Sequence, residues 1–412
     1  MAIESPIALS VISRMANSEI STAAFQPLMA LALLIESPVI DLLTTATTLG
    51  KDRQHYEQLS RFVWRMMTLV TVVHALVAAT PLYWVVTREL IGLPAPVAEA
   101  ARMGLIIMIP WSAFIGWRRY LQGLMIRNGY TRAIGFGTAI RMATMAVFAF
   151  GLHSFTSLPS ITLVAIALVA SVAAEAMFAQ WASRPIVRDR LSEDLFLDNP
   201  LTQRFLATFH FPLTATTIIT ILSQPLISAA LSRSPDTVLA LASFQVASSI
   251  VWLHRTIVFA LPEVVITLYR PGQAEAKLRQ FTLMVGLGTS STMVLAVVTN
   301  LDTWLFRTVI GVKSEQTIHM AHLCMALCCL LPLLGAFQSY LRGVLAAHHL
   351  TTARLTAILV AVVCMLTALT VGVVLRWPGV VTASVALTLA QIAELAVLAK
   401  SWRSGRAQLA NA

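Results

Sequence analysis

TAAFQPLMALALLIESPVIDLLTTATTL, residues 22–49, and LASFQVASSIVWLHRTIVFALPEVVITL, residues 241–268, decide the fold. Each is apolar over a length that crosses about 30 Å of hydrocarbon as a helix. Neither alternates as a barrel strand would. The two stand in register without a gap at an offset of 219, Phe25 and Gln26 answering to Phe244 and Gln245. The same offset joins Pro6 to Pro225, Arg14 to Arg233 and Phe62 to Phe281. One membrane-embedded unit is thus present twice. Internal duplication of apolar helices is how many secondary transporters are built, with the substrate path where the repeats meet.

Composition agrees. With 57% hydrophobic and 12% charged residues in 412, against about 25% charged in a soluble domain, the chain reads as an all-α polytopic membrane protein. Apolar spans are expected at 22–49, 62–87, 103–126, 133–152, 160–182, 205–231, 238–268, 281–306, 317–341, 352–375 and 379–399. Met1 to Ser13 is apolar but too short to cross, and it lacks the basic first region and cleavage site of a signal peptide. The expected plan is two six-helix bundles related by pseudo-two-fold symmetry, the first helix of the first bundle largely missing. Residues 1–183 form the N-terminal bundle, 184–204 (RPIVRDRLSEDLFLDNPLTQR) a cytoplasmic linker, 205–402 the C-terminal bundle and 403–412 a tail. Polar segments after the second helix of each copy, Gly50 to Arg61 and Arg270 to Gln280, are expected as short interfacial helices.

Basic residues concentrate in alternate connections: Lys51, Arg53 and Arg61; Arg127 and Arg132; Arg184, Arg188, Arg190 and Arg204; Arg270, Lys277 and Arg279; Arg354; and Lys400, Arg403 and Arg406 in the tail. The intervening connections are poorer. Because Lys and Arg are retained in the cytoplasm, this places the C-terminus there, in the plasma (inner) membrane of a prokaryote. The net charge of +10 is then a topology signal facing anionic lipid, and no nucleic-acid partner is needed to explain it. A monomer working on small organic solutes is the expected unit.

Enzyme signatures are absent. The chain has no GxxxxGK[ST] nucleotide cradle, no HExxH pair, no GxSxG turn and no GxGxxG after a strand. An enzyme is therefore not expected, nor any cofactor or metal beyond a coupling proton or sodium ion. Cys324, Cys328, Cys329 and Cys364 read as small apolar packing residues, although Cys324 and Cys328 share a helix face near His322.

Ionisable residues at bilayer depth cost roughly 2.5–3.5 kcal/mol on an insertion scale and by default point at a cavity or a partner. Glu36 and Asp41 flank Pro38, a helix-break candidate that would free carbonyls for a cation or polar group. Glu36 answers to Arg255, preceded by His254. The two can pair across a central cleft or form a packing salt bridge. Pro262, the second break candidate, precedes Glu263 and repeats the theme. Glu175 lies deep in its span, with Arg141 placed either to pair with it or to meet an anionic substrate. Glu394 is expected to snorkel toward the interface near Lys400, and Arg118 and Arg119 to meet headgroups. His210 and His254 can titrate near neutrality, although a lone intramembrane His is commonly satisfied by a hydroxyl.

PWSAFIGWRRYLQG at 110–123 with RNGYTR at 127–132, repeated as Pro332, SYLRG at 339–343 and TAR at 352–354, resembles the fourth helix and following turn of the multidrug and toxic compound extrusion (MATE) family of the multidrug/oligosaccharidyl-lipid/polysaccharide (MOP) exporter superfamily. The region around Glu36 to Pro38 and Lys51 to Arg53 is also similar to the progressive ankylosis group. The resemblance implies a V-shaped pair of bundles, cytoplasmic termini and solute export by alternating access, driven by inward sodium or proton flow. The acids the family uses in its seventh and tenth helices have no match in 205–231 and 317–341. Glu36, Asp41 and Glu263 take their place on physical grounds. A flippase or exporter of anionic substrates, and a non-transporting scaffold, are the alternatives.

Overall fold

The computed structural model describes residues 3–190, 201–258, 261–268, 273–347 and 351–410. In chain order its main helices are α1 (Glu4–Ile12), α2 (Ser18–Ile40), α3 (Leu42–Leu49), α4 (Arg53–Ala79), α5 (Ala95–Ile107), α6 (Trp111–Arg127), α7 (Thr131–Phe155), α8 (Ser160–Pro185), α9 (Gln203–Ile221), α10 (Ser223–Ser232), α11 (Thr237–Val258), α12 (Leu261–Leu268), α13 (Gln273–Val298), α14 (Glu315–Cys328), α15 (Leu331–Ala347), α16 (Thr351–Val374) and α17 (Gly379–Ala410). Among the described residues ten helical stretches are long and apolar enough to cross a membrane, or eleven if α5 and α6, bent by 49°, count as one. They match the eleven expected spans one for one. Large apolar side chains stay exposed on the spans, Phe136 at 67% and Phe211 at 71%, where lipid rather than water is the solvent.

The polar segments do not form separate interfacial helices. Residues 53–61 are the first turns of α4, because the Asp52 carboxylate caps the helix by accepting from His55 N at 2.8 Å and nothing interrupts it afterwards. Residues 273–280 likewise open α13. The middle of the expected linker, 191–200, lies outside the described residues.

By internal packing the chain divides into two units, Met1–Gln26 with Leu226–Ala412, and Pro27–Pro225. This division does not follow the boundaries at 183 and 205 expected from the repeat. The opening residues pack with the later half, and α9 packs on α3 and α4. Arg14, at the end of α1, shows how the first contact is made: its guanidinium donates to the carbonyls of Thr308, Val309 and Ile310.

Each unit repeats the other's local construction. A wide π turn at Val85–Ile91 ends on Gly92 at φ 84°, and a second at Leu305–Ile310 ends on Gly311 at φ 82°, a left-handed conformation open to glycine. The closing bonds match at the same offset, Leu93 N to Thr87 O at 2.8 Å and Val312 N to Phe306 O at 2.9 Å. Gly123 on α6 lies so close to α3 that a Cβ there would stand 2.5 Å from Leu43 O. Gly343 on α15 meets α12 equally closely, 2.7 Å from Val265 Cβ.

Candidate functional site

Two buried polar clusters and one helix break gather the candidate residues. In the unit formed by Pro27–Pro225, α8 carries Glu175, 1% exposed, into contact with α6 and α7. Arg118 Nη1 lies 2.8 Å and Arg141 Nη1 3.4 Å from Glu175 Oε2, while Gln122 Nε2 donates to Oε1 at 3.1 Å. Arg118 and Gln122 are four apart on α6, so both face α8. Arg119 turns beside them, its Nε buried with no hydrogen-bond partner among the described residues. Glu36 on α2 is fully buried, and its charge lies within electrostatic reach of both Arg118 and Arg119. Three guanidiniums and two carboxylates therefore share one apolar interior. That arrangement holds only because the charges answer one another.

The other unit has the corresponding group. Glu394, 7% exposed on α17, stands at the offset of 219 from Glu175. Arg342 on α15 donates Nε to Glu394 Oε1 at 2.9 Å, with Nη2 on the same oxygen. Gln338 Nε2 donates to Gln391 O at 2.9 Å and to Glu394 Oε2 at 3.3 Å. Arg255 on α11 joins through Gln391: with the amide oriented to satisfy both neighbours, its oxygen accepts from Arg255 Nη2 at 2.7 Å and its nitrogen donates to Leu331 O at 3.2 Å. The Arg255 guanidinium also lies 5.3 Å from the Trp252 ring centroid.

At the break between α2 and α3, Pro38 has no N–H for the carbonyl of Leu34, and the Ser37 hydroxyl supplies that donor at 2.7 Å. The helix stops at Ile40 and restarts at Leu42, with Asp41 between. His210 of α9 fills the gap from the side, Nε2 2.8 Å from Pro38 O and Nδ1 2.8 Å from Thr45 Oγ1. The hydroxyl expected beside a lone histidine is thus Thr45.

The remaining candidates fall as follows. Arg141 reaches Glu175. Glu36 and Arg255 lie in different units, each within the polar cluster of its own unit. Glu394 does not snorkel toward Lys400; it turns inward to Arg342, and Arg118 is likewise held by Glu175 rather than left to headgroups. His254 Nδ1 is satisfied within its own helix by Ile250 O at 2.9 Å. Pro262 stands in the first turn of α12, and the side chain of Glu263 lies outside the described residues. His322 bonds Asp302 Oδ2 at 2.8 Å, and Cys324 Sγ sits 3.3 Å from Ser384 Oγ. Sequence reading missed the equivalence of Glu175 and Glu394, although the repeat offset carried it.

No family model matches the sequence, and no curated protein matches it. Solved structures do share the fold. An inward-facing multidrug resistance MATE family transporter of the MOP superfamily aligns with a TM-score of 0.68 at 11% identity, over 97% of this chain and 96% of that one. The lipid II flippase MurJ, in an inward closed conformation, aligns with a TM-score of 0.69 at 12% identity, over 97% and 86%. A MOP superfamily transporter from Pyrococcus furiosus, described as having a binding pocket of reverse polarity, aligns with a TM-score of 0.60 at 13% identity, over 99% and 94%. The chain is a multi-pass membrane protein with the fold of these transporters.

Proposed function

We propose that this protein is a secondary transporter that exports or flips a substrate bearing an anionic group, such as a lipid-linked saccharide phosphate or a small organic anion. The observation that carries this reading is the cluster around Glu175, where Arg118, Arg119 and Arg141 gather near Glu36 and Glu175, three positive charges with two negative ones, and Arg119 Nε has no hydrogen-bond partner among the described residues. A buried guanidinium is costly unless an anion completes its hydrogen bonds, and the planar fork of Arg suits phosphate and carboxylate. Its shared fold with the lipid II flippase is compatible with such a cargo.

A cation-coupled antiporter exporting organic cations is the second reading, favoured by the fold shared with multidrug transporters. It needs carboxylates available to a cation, whereas Glu175 and Glu394 are each already met by arginine. In either case the basic connections and the C-terminus face the cytoplasm of a prokaryotic inner membrane.

Proteoliposomes decide between them. Carboxyfluorescein, a fluorescent phosphatidic acid and ethidium are offered under imposed pH and sodium gradients. The anionic probes are expected to move and ethidium to stay, with Arg119→Gln slowing anion movement about tenfold or more. Ethidium export lost in Glu36→Gln, with both anions static, overturns the proposal in favour of the antiporter.

A further inference from the structure

Two arginines gather on one tryptophan beside the first π turn. The guanidinium carbon of Arg88 lies 4.6 Å from the Trp84 ring centroid, and that of Arg102, two turns into α5, lies 5.2 Å from it. An indole face attracts a cation but cannot cancel its charge. The carboxylate that meets this pair is Glu99, whose Oε1 is 3.4 Å from Arg88 Nη2 and whose side chain is 65% exposed. Glu89 beside Arg88 is exposed and forms no ion pair among the described residues. Arg102 Nε is buried and has no hydrogen-bond partner among them.

The other unit has the same positions with their charges answered. At the offset of 219 Arg88 corresponds to Arg307 and Tyr83 to Asp302, and at the 220 that relates α5 to α14 Arg102 corresponds to His322. There His322 Nδ1 bonds Asp302 Oδ2 at 2.8 Å, and Arg307 Nη2 lies 2.6 Å from Glu315 Oε2. Each basic side chain has a carboxylate of its own. In the unit Pro27–Pro225 the place of Asp302 is taken by Tyr83, fully buried, whose hydroxyl donates to Ala98 O. A phenol does not neutralise a guanidinium, so the positive charge of Arg102 is left without an internal anion. Both arginines also fall in a connection of the kind poor in Lys and Arg, where a positive charge runs against the retention of basic residues in the cytoplasm. Tryptophan at the end of a span sits at headgroup level, and the long stem of arginine lets its charge reach that level from within the helix.

We infer that Trp84, Arg88 and Arg102 form a binding site for a phosphate-bearing anion at the membrane surface, with the headgroup of an anionic phospholipid as its source. A phosphate oxygen takes from Arg102 the hydrogen bonds that its fork is shaped to give, in the role that the Asp302 carboxylate plays for His322. Arg88, 44% exposed, adds charge from the solvent side. The site does not depend on the transport reading, which contributes only the side of the membrane it faces.

The test is the unfolding midpoint of the full chain in dodecyl maltoside, titrated with dioleoylphosphatidylglycerol, dioleoylphosphatidylcholine or inorganic phosphate at constant ionic strength. A ligand that binds the folded chain raises the midpoint with its concentration. The parent is expected to bind phosphatidylglycerol about tenfold tighter than phosphatidylcholine, whose phosphate is offset by its own choline, and Arg102→Gln to bring the ratio within about twofold, the loss of one charge-assisted hydrogen bond or more. Arg307→Gln removes an arginine already paired with Glu315 and should keep the preference. If Arg102→Gln does not fold, Arg88→Gln carries the same expectation. Inorganic phosphate that raises the midpoint of the parent and not of the variant, with the two lipids equal, keeps the site and makes a soluble anion its occupant. A preference that survives in both Arg102→Gln and Arg88→Gln, an equal loss in Arg307→Gln, or no response to any of the three probes overturns the inference.

Discussion

The cluster around Glu175 and the cluster around Glu394 are the same site built with its two α-helical donors exchanged. Arg118 and Gln122 on α6 become Gln338 and Arg342 on α15, yet the geometry of donation is kept. The earlier position serves Oε2 in both units, at 2.8 and 3.3 Å, and the later position serves Oε1. Position thus decides which oxygen is met, and residue type decides only where the charge sits. Moving the guanidinium four residues shifts the charge along the helix by about 6 Å. Arg118 is 6% exposed and Arg342 is 23% exposed, so the first charge is locked in the interior and the second reaches toward the end of its bundle. The first cluster adds Arg141; the corresponding stretch of α16 has Val360 and Ala361.

Removal of each carboxylate should separate the two clusters most. Glu175→Leu takes from Arg118 and Arg141 the carboxylate they share in an apolar interior, and removing one partner of a buried ion pair costs about 3–5 kcal/mol. Glu394→Leu leaves an arginine that can turn toward the interface, at a cost of about 1 kcal/mol. Thermal unfolding in nanodiscs should show the first variant losing far more than the second. Equal losses would mean that the difference in exposure has no energetic content.

A smaller effect sharpens the claim that position and residue type are separable. Arg118→Gln combined with Gln122→Arg rebuilds the first cluster in the pattern of the second. If the exchange is tolerated, the double variant is more stable than the two single changes predict by about 1–3 kcal/mol, the range seen for residues sharing one network. Strict additivity would show that the depth of the Arg118 charge is itself required.

Much of this was legible in the sequence. Apolar run length gave the spans, and the offset of 219 gave the repeat. The contact of Arg141 with Glu175 was one of two alternatives that their places on neighbouring spans left open, the other being an anionic substrate. The exchanged donors were hidden for a physical reason. One residue is gained after Gly311, so that Glu315 begins α14 where Ala95 begins α5 at an offset of 220, and one is lost before Gly379, which returns to 219 against Ser160. Between those points the offset of 219 sets Arg118 opposite Phe337 and Gln122 opposite Leu341, so the true counterparts Gln338 and Arg342 are missed. Arg342 then looks like an unrelated charge, and Glu394 like a residue near the end of its span. The division into packing units was not legible either, because run length and periodicity report which segments are buried in a bilayer and not which segments pack together.

The close helix contact offers a matched pair in the same size range. Gly123→Ala forces a methyl against the Leu43 carbonyl, whereas Gly343→Ala meets the Val265 side chain first and Pro262 O at 3.1 Å. Overpacking of this kind costs about 1–3 kcal/mol, and the variant facing backbone should lie at the upper end because a carbonyl held in a helix yields less than a side chain. Unfolding midpoints in nanodiscs check the order, and the reverse order would show that α3 moves more freely than α12.

Arg141→Leu carries the smallest expected change in stability and the clearest functional contrast. Glu175 keeps Arg118 at 2.8 Å and Gln122 at 3.1 Å when Arg141 is gone, and the second unit shows that a carboxylate at this position is held by one arginine and one amide. The lost contact, at 3.4 Å, is the longer of the two ion pairs, and its removal also takes a like charge away from Arg118. These terms oppose one another, so stability should stay within about 1 kcal/mol of the parent. Transport should not stay put. The substitution removes one of three positive charges in a cluster that holds two negative ones, so an anionic probe loses its electrostatic advantage there while an uncharged change in packing would leave probe charge irrelevant. Carboxyfluorescein movement falling in Arg141→Leu at unchanged unfolding midpoint would tie the third arginine of the first cluster to anion handling. A parallel loss of stability and transport would instead make it a second structural clamp on Glu175, and the two clusters would then differ in strength rather than in task.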